Sequence, residues 1–432
     1  MQRSVQFQNF MKTFGPGIMF AGTCIGGSHL VQSTRAGAYY GFGMLLVVIL
    51  ANVLKYPFFE FASRYTNATG KSILEGYKER GKWILVIYAL VTLTSMCVIT
   101  AAIGAFTGGL ANNLFSSFFG VSDFFKEDHW WVLFVFIITL GILVYGRFGL
   151  LDKILKGVGL ILVLTTLVAF VSVLIRRPAP TGYPGMLEIF EQPEDVLFAI
   201  ALMGWMPIAI DMSAWHSLWT QERIRQTNYF PKLKETLLDF NIGYGITFVL
   251  AILFLTIGAY ILYASPTVTR DEMENMSGLS YAQTLVNMFT AVVGDWSYYV
   301  ISLAAFTTMF GTCITLVDGY SRSVERTMAL LSTDKKTVLF SRKRYIFWVV
   351  ITLFGGYLFI LFFVNKLGEI MDLATTVSFI IAPLAGILNF AIIFNKEVRK
   401  ECRPPVWLVV LAVAGIAFLL YFTWVYLKLA IL

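Results

Sequence analysis

The chain has 432 residues, of which 57% are hydrophobic, 16% aromatic and only 14% charged, and it carries a formal net charge of +7. An average soluble domain is about 25% charged, so a chain this long, with a mean hydropathy of +0.73, needs a bilayer as its solvent. Soluble enzymes, nucleic-acid binders and disordered scaffolds are excluded, and the basic excess is expected in the cytoplasmic loops of an all-α polytopic membrane protein.

Apolar runs of about 20 residues mark the spans. They fall at residues 14–38, 43–63, 83–115, 130–149, 154–175, 194–220, 237–263, 295–320, 344–364, 368–394 and 405–430. Span one follows a short N-terminus, residues 1–13, in which no cleavable signal peptide is visible. Near its middle it carries Ile25-Gly26-Gly27-Ser28-His29, and no Asp or Glu occurs before Glu60. After span two, Thr69-Gly70-Lys71-Ser72 imitates the end of a phosphate-binding loop, but Tyr65 stands where that loop needs glycine and no strand precedes it. Transport, if present, is then secondary rather than nucleotide-driven. Residues 83–122, which include span three, contain no charged residue.

Span six carries Met203-Gly204-Trp205-Met206-Pro207, and Asp211 is the only acid between Asp195 and Glu222. Glycine and proline weaken or break helices, and a broken helix survives in a bilayer only where it faces protein or a watery cavity. Spans one and six each open a set of five, which is the placement expected of an inverted five-plus-five repeat with substrate held at both breaks. The repeats are residues 14–175 and 194–394, joined by an extracellular loop at 176–193. A cytoplasmic loop and an eleventh helix follow at 395–432. An intramembrane carboxylate costs about 2.5–3.5 kcal/mol on insertion scales and marks a site by default, so Asp211 is a candidate proton carrier, with His216 beside it. The substrate-binding candidates are Gly26, Gly27, Ser28, His29, Met206 and Asp211.

The remaining membrane charges carry less. Glu60 and Arg64, like Asp318 and Arg322, are spaced i,i+4 and are expected to be interfacial ion pairs. Asp239 and Asp372 begin spans and are expected to cap them or face their dipoles. The cysteines Cys24, Cys97, Cys313 and Cys402 form no C-x-x-C pair, so neither a disulfide framework nor a zinc site follows. Most Lys and Arg fall on one side, among them Arg64, Lys71, Lys78, Arg80, Lys82, Arg342, Lys343 and Arg344. Lys126, Arg176, Arg177, Arg270, Lys366 and Lys428 fall on the other. This bias predicts a cytoplasmic N-terminus.

These residues resemble the Nramp family of divalent metal transporters. Gly15-Pro16-Gly17 and Ala36-Gly37-Ala38-Tyr39-Tyr40-Gly41 follow its first-helix pattern. Thr69-Gly70-Lys71 is similar to the loop after its second helix, Met206-Pro207 to the Met-Pro of its sixth, and His216-Ser217 to the end of that helix. The resemblance implies a LeuT-type fold, alternating access and a divalent metal cargo. Where the family carries Asp-Pro-Gly-Asn, however, this chain carries Gly26-Gly27-Ser28-His29, so the carboxylate is lost. The family's third-helix acids are missing as well.

Two cargo readings therefore stand. A divalent ion would take His29, Met206, Asp211 and freed carbonyls, a donor set suited to a borderline transition metal. A small anion or polar solute would use the N–H groups of Gly27, Ser28 and His29 at a half-helix start, with Arg35 adding positive potential and Asp211 carrying protons. A sensor that has kept the scaffold without flux is the third reading. No nucleophile–base pair or metal triad of an enzyme is found, and no cofactor is implied. The expected partners are an inorganic ion or small polar solute, protons as a possible coupling ion, and membrane lipid, with the protein in the plasma (inner) membrane.

Overall fold

The computed structural model describes residues 11–119, 128–146, 148–176, 179–263, 270–332, 340–362 and 367–431. Residues 1–10 and the basic positions Lys126, Arg177 and Lys366 lie outside them. Among the described residues every regular element is helical. Helix α1 (Pro16–Cys24) runs into a π-helix (Ile25–Ser33) and then α2 (Thr34–Tyr40). The first half continues with α3 (Leu45–Thr69), the short α4 (Ile73–Arg80), α5 (Lys82–Phe119), α6 (Asp128–Tyr145) and α7 (Phe148–Arg176). The second half holds α8 (Pro193–Trp205), α9 (Ser213–Thr227), α10 (Leu233–Gly258), α11 (Gly278–Val293), α12 (Tyr298–Leu331), α13 (Arg342–Phe362) and α14 (Leu367–Ile392), and α15 (Val406–Ile431) ends the chain.

Among the described residues eight helical stretches are long and apolar enough to cross a bilayer, and His129–Tyr145 and Val163–Arg176 are shorter apolar helices. Leu160, Leu164, Val168 and Val171 on α7, and Val406, Val410, Val413 and Trp424 on α15, are exposed. Stripes of this kind belong against lipid, where there is no penalty for exposing them. The chain is an integral membrane protein.

Each expected span overlaps at least one described helix, and one further helix is added. Helix α11 was not expected, because its 16 residues are too short to span. It is instead an amphipathic helix that buries Tyr281, Leu285, Met288 and Phe289. Thr69-Gly70-Lys71-Ser72 is helix punctuation. Gly70 ends α3 in the left-handed region at φ 73°, and Ser72 opens α4 with a capping box closed by Glu75.

At the centre, α1 and α10 pack backbone to backbone. A Cβ on Gly17 would sit 2.0 Å from the Asp239 carbonyl oxygen, and one on Gly243 would sit 2.1 Å from that of Gly17. Small residues permit such contact where helices associate without a hydrophobic driving force. The Asp239 carboxylate accepts from the N–H of Gly15 at 3.0 Å and of Gly17 at 2.7 Å. It therefore caps α1, and it lies inside α10, which begins at Leu233, rather than at that helix's start as expected. The Glu60–Arg64 and Asp318–Arg322 pairs form as expected, at 2.5 and 2.8 Å.

Candidate functional site

The two interrupted spans fold differently. Span six is truly broken. Pro207 has no N–H to give, and its ring disfavours an α conformation at the preceding residue. Met206 accordingly leaves the helix at φ −89°, ψ 112°, and helical structure resumes only at Ile210. Span one does not unwind, which corrects the expectation of a break there. Gly26 and Gly27 weaken an α-helix but keep their N–H groups, so the chain widens into a π-helix over Ile25–Ser33 and all nine of these residues are buried. The N–H groups of Gly27, Ser28 and His29 belong to helical hydrogen bonding and make no seat for an anion.

The two segments nevertheless meet. The Ser28 hydroxyl donates to the Pro207 carbonyl at 3.0 Å, and it also lies against the Cys24 carbonyl and 2.6 Å from His29 Nδ1. The Ser33 hydroxyl lies 3.7 Å from Met206 Sδ. The missing side chains of the glycines make this contact possible. A Cβ on Gly26 would be 2.5 Å from Thr312 Oγ1, and one on Gly27 would be 2.4 Å from the Trp205 ring. Between the segments is a cavity of about 20 Å³, lined by Thr23, Cys24, Gly27, Ser28, Trp205, Ile208, Met212 and Thr312 with apolar residues of α5 and α12. That is room for about one water. Its polar lining is hydroxyl, thiol and thioether, and it carries no ionisable acid or base apart from the thiol.

His29 is turned away from this cavity. Its Nε2 lies 2.8 Å from the Thr247 carbonyl of α10, and Nδ1 lies 3.0 Å from the Cys24 carbonyl. In the neutral ring one nitrogen donates and the other accepts, and both are engaged by protein groups: Nε2 by the Thr247 carbonyl, Nδ1 by the Ser28 hydroxyl and the Cys24 carbonyl. Met206 is fully buried. Asp211 follows the break, its backbone carbonyl 3.5 Å from the Tyr88 hydroxyl, and its carboxylate is within electrostatic reach of Lys55. His216 is held elsewhere: Ser63 Oγ is 3.0 Å from its Nδ1, and Nε2 has no hydrogen-bond partner. The expected metal set of His29, Met206 and Asp211 therefore does not converge on the cavity. Among the described residues, no group of three His, Cys, Asp or Glu is placed to hold a metal.

Two charged features escaped sequence reasoning. Lys55, fully buried in α3, donates to the carbonyls of Met203 and Gly204 at 3.0 Å and of Ile208 at 2.8 Å. Those are the carbonyls that the break in span six sets free. Arg35 on α2 binds Asp372 of α14 with two bonds, 2.7 and 3.1 Å, so it adds no free positive potential and Asp372 is not a cap. Gln32 joins this pair at 3.1 Å, and the guanidinium covers the Phe198 ring of α8 at 5.4 Å. Near by, Arg270 reaches Asp195 at 2.6 Å, and the Tyr40 hydroxyl donates to the same oxygen at 2.7 Å. A lone Lys or Arg inside an apolar span was the available signal in both cases.

At the opposite, basic end lies a cavity of about 380 Å³ lined by Gly70, Gln221, Glu222, Arg225, Arg322, Glu325 and Arg326, among others. Asp318 anchors its floor by accepting from Trp219 Nε1 at 3.0 Å and the Tyr345 hydroxyl at 2.7 Å. At its rim Arg326 binds Glu75 at 2.7 Å. Burial pushes the Glu75 carboxyl up, but Arg326 and the Ser72 N–H outweigh it and hold the group below its ordinary range.

Comparison with known proteins settles the family. The model for Nramp, natural resistance-associated macrophage protein-like, matches residues 17–427. The chain belongs to the Nramp family. It is a membrane transporter of that family, with a small polar or ionic solute as cargo, and not an enzyme. It is 32% identical over 420 residues to the uncharacterized protein PM0681 of Pasteurella multocida (strain Pm70), covering 95% of this chain and 90% of that one. Its fold matches a single-site mutant of the Eremococcus coleocola manganese transporter at TM-score 0.71 and 12% identity, over 96% of this chain and 86% of the other. It also matches MhsT in complex with L-phenylalanine at TM-score 0.61 and 14% identity, over 94% and 98%. The Nramp chain thus has the LeuT-type fold that its residues implied.

Proposed function

We propose that this Nramp protein is a secondary transporter that works by alternating access and binds its cargo between the π-helix Ile25–Ser33 and the break at residues 206–209. The observation that carries the reading is the Ser28–Pro207 bond, which joins the two interrupted segments beside a small, mostly apolar cavity edged by hydroxyl groups. Two five-helix repeats, residues 14–175 and 194–394, move against each other, and the eleventh helix flanks them. The excess of Lys and Arg makes the basic end cytoplasmic, with the N-terminus inside and the protein in the plasma (inner) membrane. The Arg35–Asp372 pair then closes the outer path, and the cavity of about 380 Å³ is the inner vestibule.

The cargo that suits this site is a small polar solute without a double positive charge. A divalent ion in the cavity would meet no carboxylate, and a buried charge left uncompensated is expensive. Asp211 is the proton carrier in this reading. A divalent metal is the second reading, favoured by the likeness to a manganese transporter and by the Met206 thioether at the break.

Purified protein titrated with Mn²⁺, Fe²⁺ and Zn²⁺ in a calorimeter, and proteoliposome uptake of small neutral and anionic solutes, separate the two. Uptake of such a solute, abolished by Gly27→Leu, with no heat from any metal, is the expected result. Saturable metal binding that Met206→Ala weakens at least about tenfold would replace it with the metal reading. Ligand binding without flux in either assay would make the chain a sensor. Asp211→Asn is expected to remove any stimulation of uptake by an inward proton gradient.

A further inference from the structure

We infer that the Lys55 ammonium is a resident, tethered cation of the transport site, bound where the break in span six would otherwise present a site for a free cation. This rests on the reading of the break as part of the cargo site. The break ends α8 at Trp205, and the last carbonyls of a helix have no partner within it. In hydrocarbon such groups must be satisfied. Three converging carbonyl oxygens at a helix end, of which that of Met203 also accepts the Met206 N–H at 3.4 Å, are an ordinary cation seat, of the kind that unwound membrane helices offer to coupling ions.

In this chain the seat is filled from within. Lys55 lies ten residues into α3, about 15 Å along its axis, and so deep in the bilayer. An ammonium has three N–H donors and no acceptor, and the Met203, Gly204 and Ile208 carbonyls take one each at 3.0, 3.0 and 2.8 Å. The side chain is fully buried, so no water competes for these bonds. Met203 and Gly204 belong to α8, whereas Ile208 lies past Pro207, within the break. The ammonium therefore clamps the two sides of the hinge together from a third helix.

Two consequences follow. A cation in solution cannot occupy these carbonyls while Lys55 holds them. Any movement of α8 relative to the segment after the break must also stretch or release bonds to Lys55. The protein then carries its own charge through the cycle in place of an exchanging ion.

The test uses Lys55→Ala, which empties the seat, and Lys55→Met, which fills the space with a side chain of similar length and no donor. Thermal unfolding in detergent is followed with added ammonium, ethylammonium, Na⁺ or K⁺, with tetramethylammonium, which has no N–H, as control. The expected result is that Lys55→Ala unfolds several degrees below wild type and is raised, dose-dependently, by ethylammonium or a small inorganic cation. Tetramethylammonium, wild type and Lys55→Met should show no such rise. In proteoliposomes Lys55→Met should lose about tenfold or more of the uptake.

A Lys55→Ala protein that is folded and indifferent to every cation overturns the inference, as does wild-type uptake by Lys55→Met. If Lys55→Ala does not fold, the same cation series on Lys55→Ser decides by the same criterion. The unfolding measurement needs no knowledge of the cargo. Selective stabilisation of Lys55→Ala thus stands even if no flux is ever found, and flux through a protein that shows none leaves the transport reading intact.

Discussion

The π-helix at Ile25–Ser33 and the break at residues 206–209 meet through the Ser28 hydroxyl, yet they solve the backbone problem in different ways. One keeps its hydrogen bonding internal and widens; the other gives carbonyls away and must find donors elsewhere. The difference comes from one residue type. Glycines lower helix propensity by about 1 kcal/mol each without removing a donor, whereas Pro207 removes a donor and constrains Met206. A segment that satisfies itself can rest against its neighbours. A segment that cannot needs a partner carrying charge, and here the partner is Lys55. Asymmetry at the site therefore follows from where the proline lies.

The sharpest way to break this comparison is to add a methyl group to each segment. A Cβ on Gly204 would lie 2.1 Å from the Thr375 backbone oxygen of α14, and a backbone in a packed helix does not yield. A Cβ on Gly27 meets only side-chain atoms, the Trp205 ring at 2.4 Å and Ile103 Cδ1 at 2.7 Å. Overpacking typically costs about 1–3 kcal/mol, and more where nothing can move. Gly204→Ala is expected to cost about 3 kcal/mol or more and to cut the yield of folded protein. Gly27→Ala should cost about 1–2 kcal/mol and leave a folded protein with impaired uptake. Denaturation midpoints of the two variants check the order, and the reverse order would mean that the π-helix is the more rigidly packed of the two.

Much of the fold was legible because a bilayer makes hydropathy decisive. The expected spans lie on described helices, and the pairs Glu60–Arg64 and Asp318–Arg322 could be read from spacing within one helix. The site was less legible, because its bonds join residues far apart in sequence. Nothing local says that Lys55 would reach residues 203–208, that Asp239 would cap α1, or that Arg35 and Asp372, 337 positions apart, would meet. His29 looked like a ligand because histidine is rare in this chain. Its ring is in fact engaged by the Thr247 carbonyl on one side and by the Ser28 hydroxyl and Cys24 carbonyl on the other, an outcome that the packing of α10 decides.

A second pair of measurements concerns two of the buried cations, Lys55 bound by carbonyls and Arg35 by a carboxylate. Arg35 is 1% exposed and its partner Asp372 37%. Removing one member of a buried pair strands the other, at about 3–5 kcal/mol when both are fully buried, and the exposure of Asp372 reduces this through screening. Asp372→Asn is expected to cost about 1–2 kcal/mol. The double variant Arg35→Met with Asp372→Asn should recover part of that loss, because no charge is left stranded. Additive losses in this cycle would show that the pair is not coupled. Lys55 offers no such recovery, since an apolar residue there removes the ammonium donor from all three carbonyls, and of these Met203 keeps the Met206 N–H.

The smallest expected effect falls on the contact that joins the two segments. Ser28→Ala removes the donor to the Pro207 carbonyl but leaves the π-helix and the Lys55 bonds in place. One buried carbonyl losing a neutral partner costs about 1 kcal/mol, which in a chain of this size moves a thermal midpoint by about 1 °C. Ser33→Ala removes only a long hydroxyl contact to a thioether, a weak acceptor, and should shift the midpoint by less than Ser28→Ala does. If the segments move apart during transport, the Ser28 bond must break in each cycle. Ser28→Ala should then lower stability while uptake per folded molecule is kept or increased. Equal losses of stability and uptake would mean that the bond is needed throughout the cycle, and that the π-helix and the break travel together as one body.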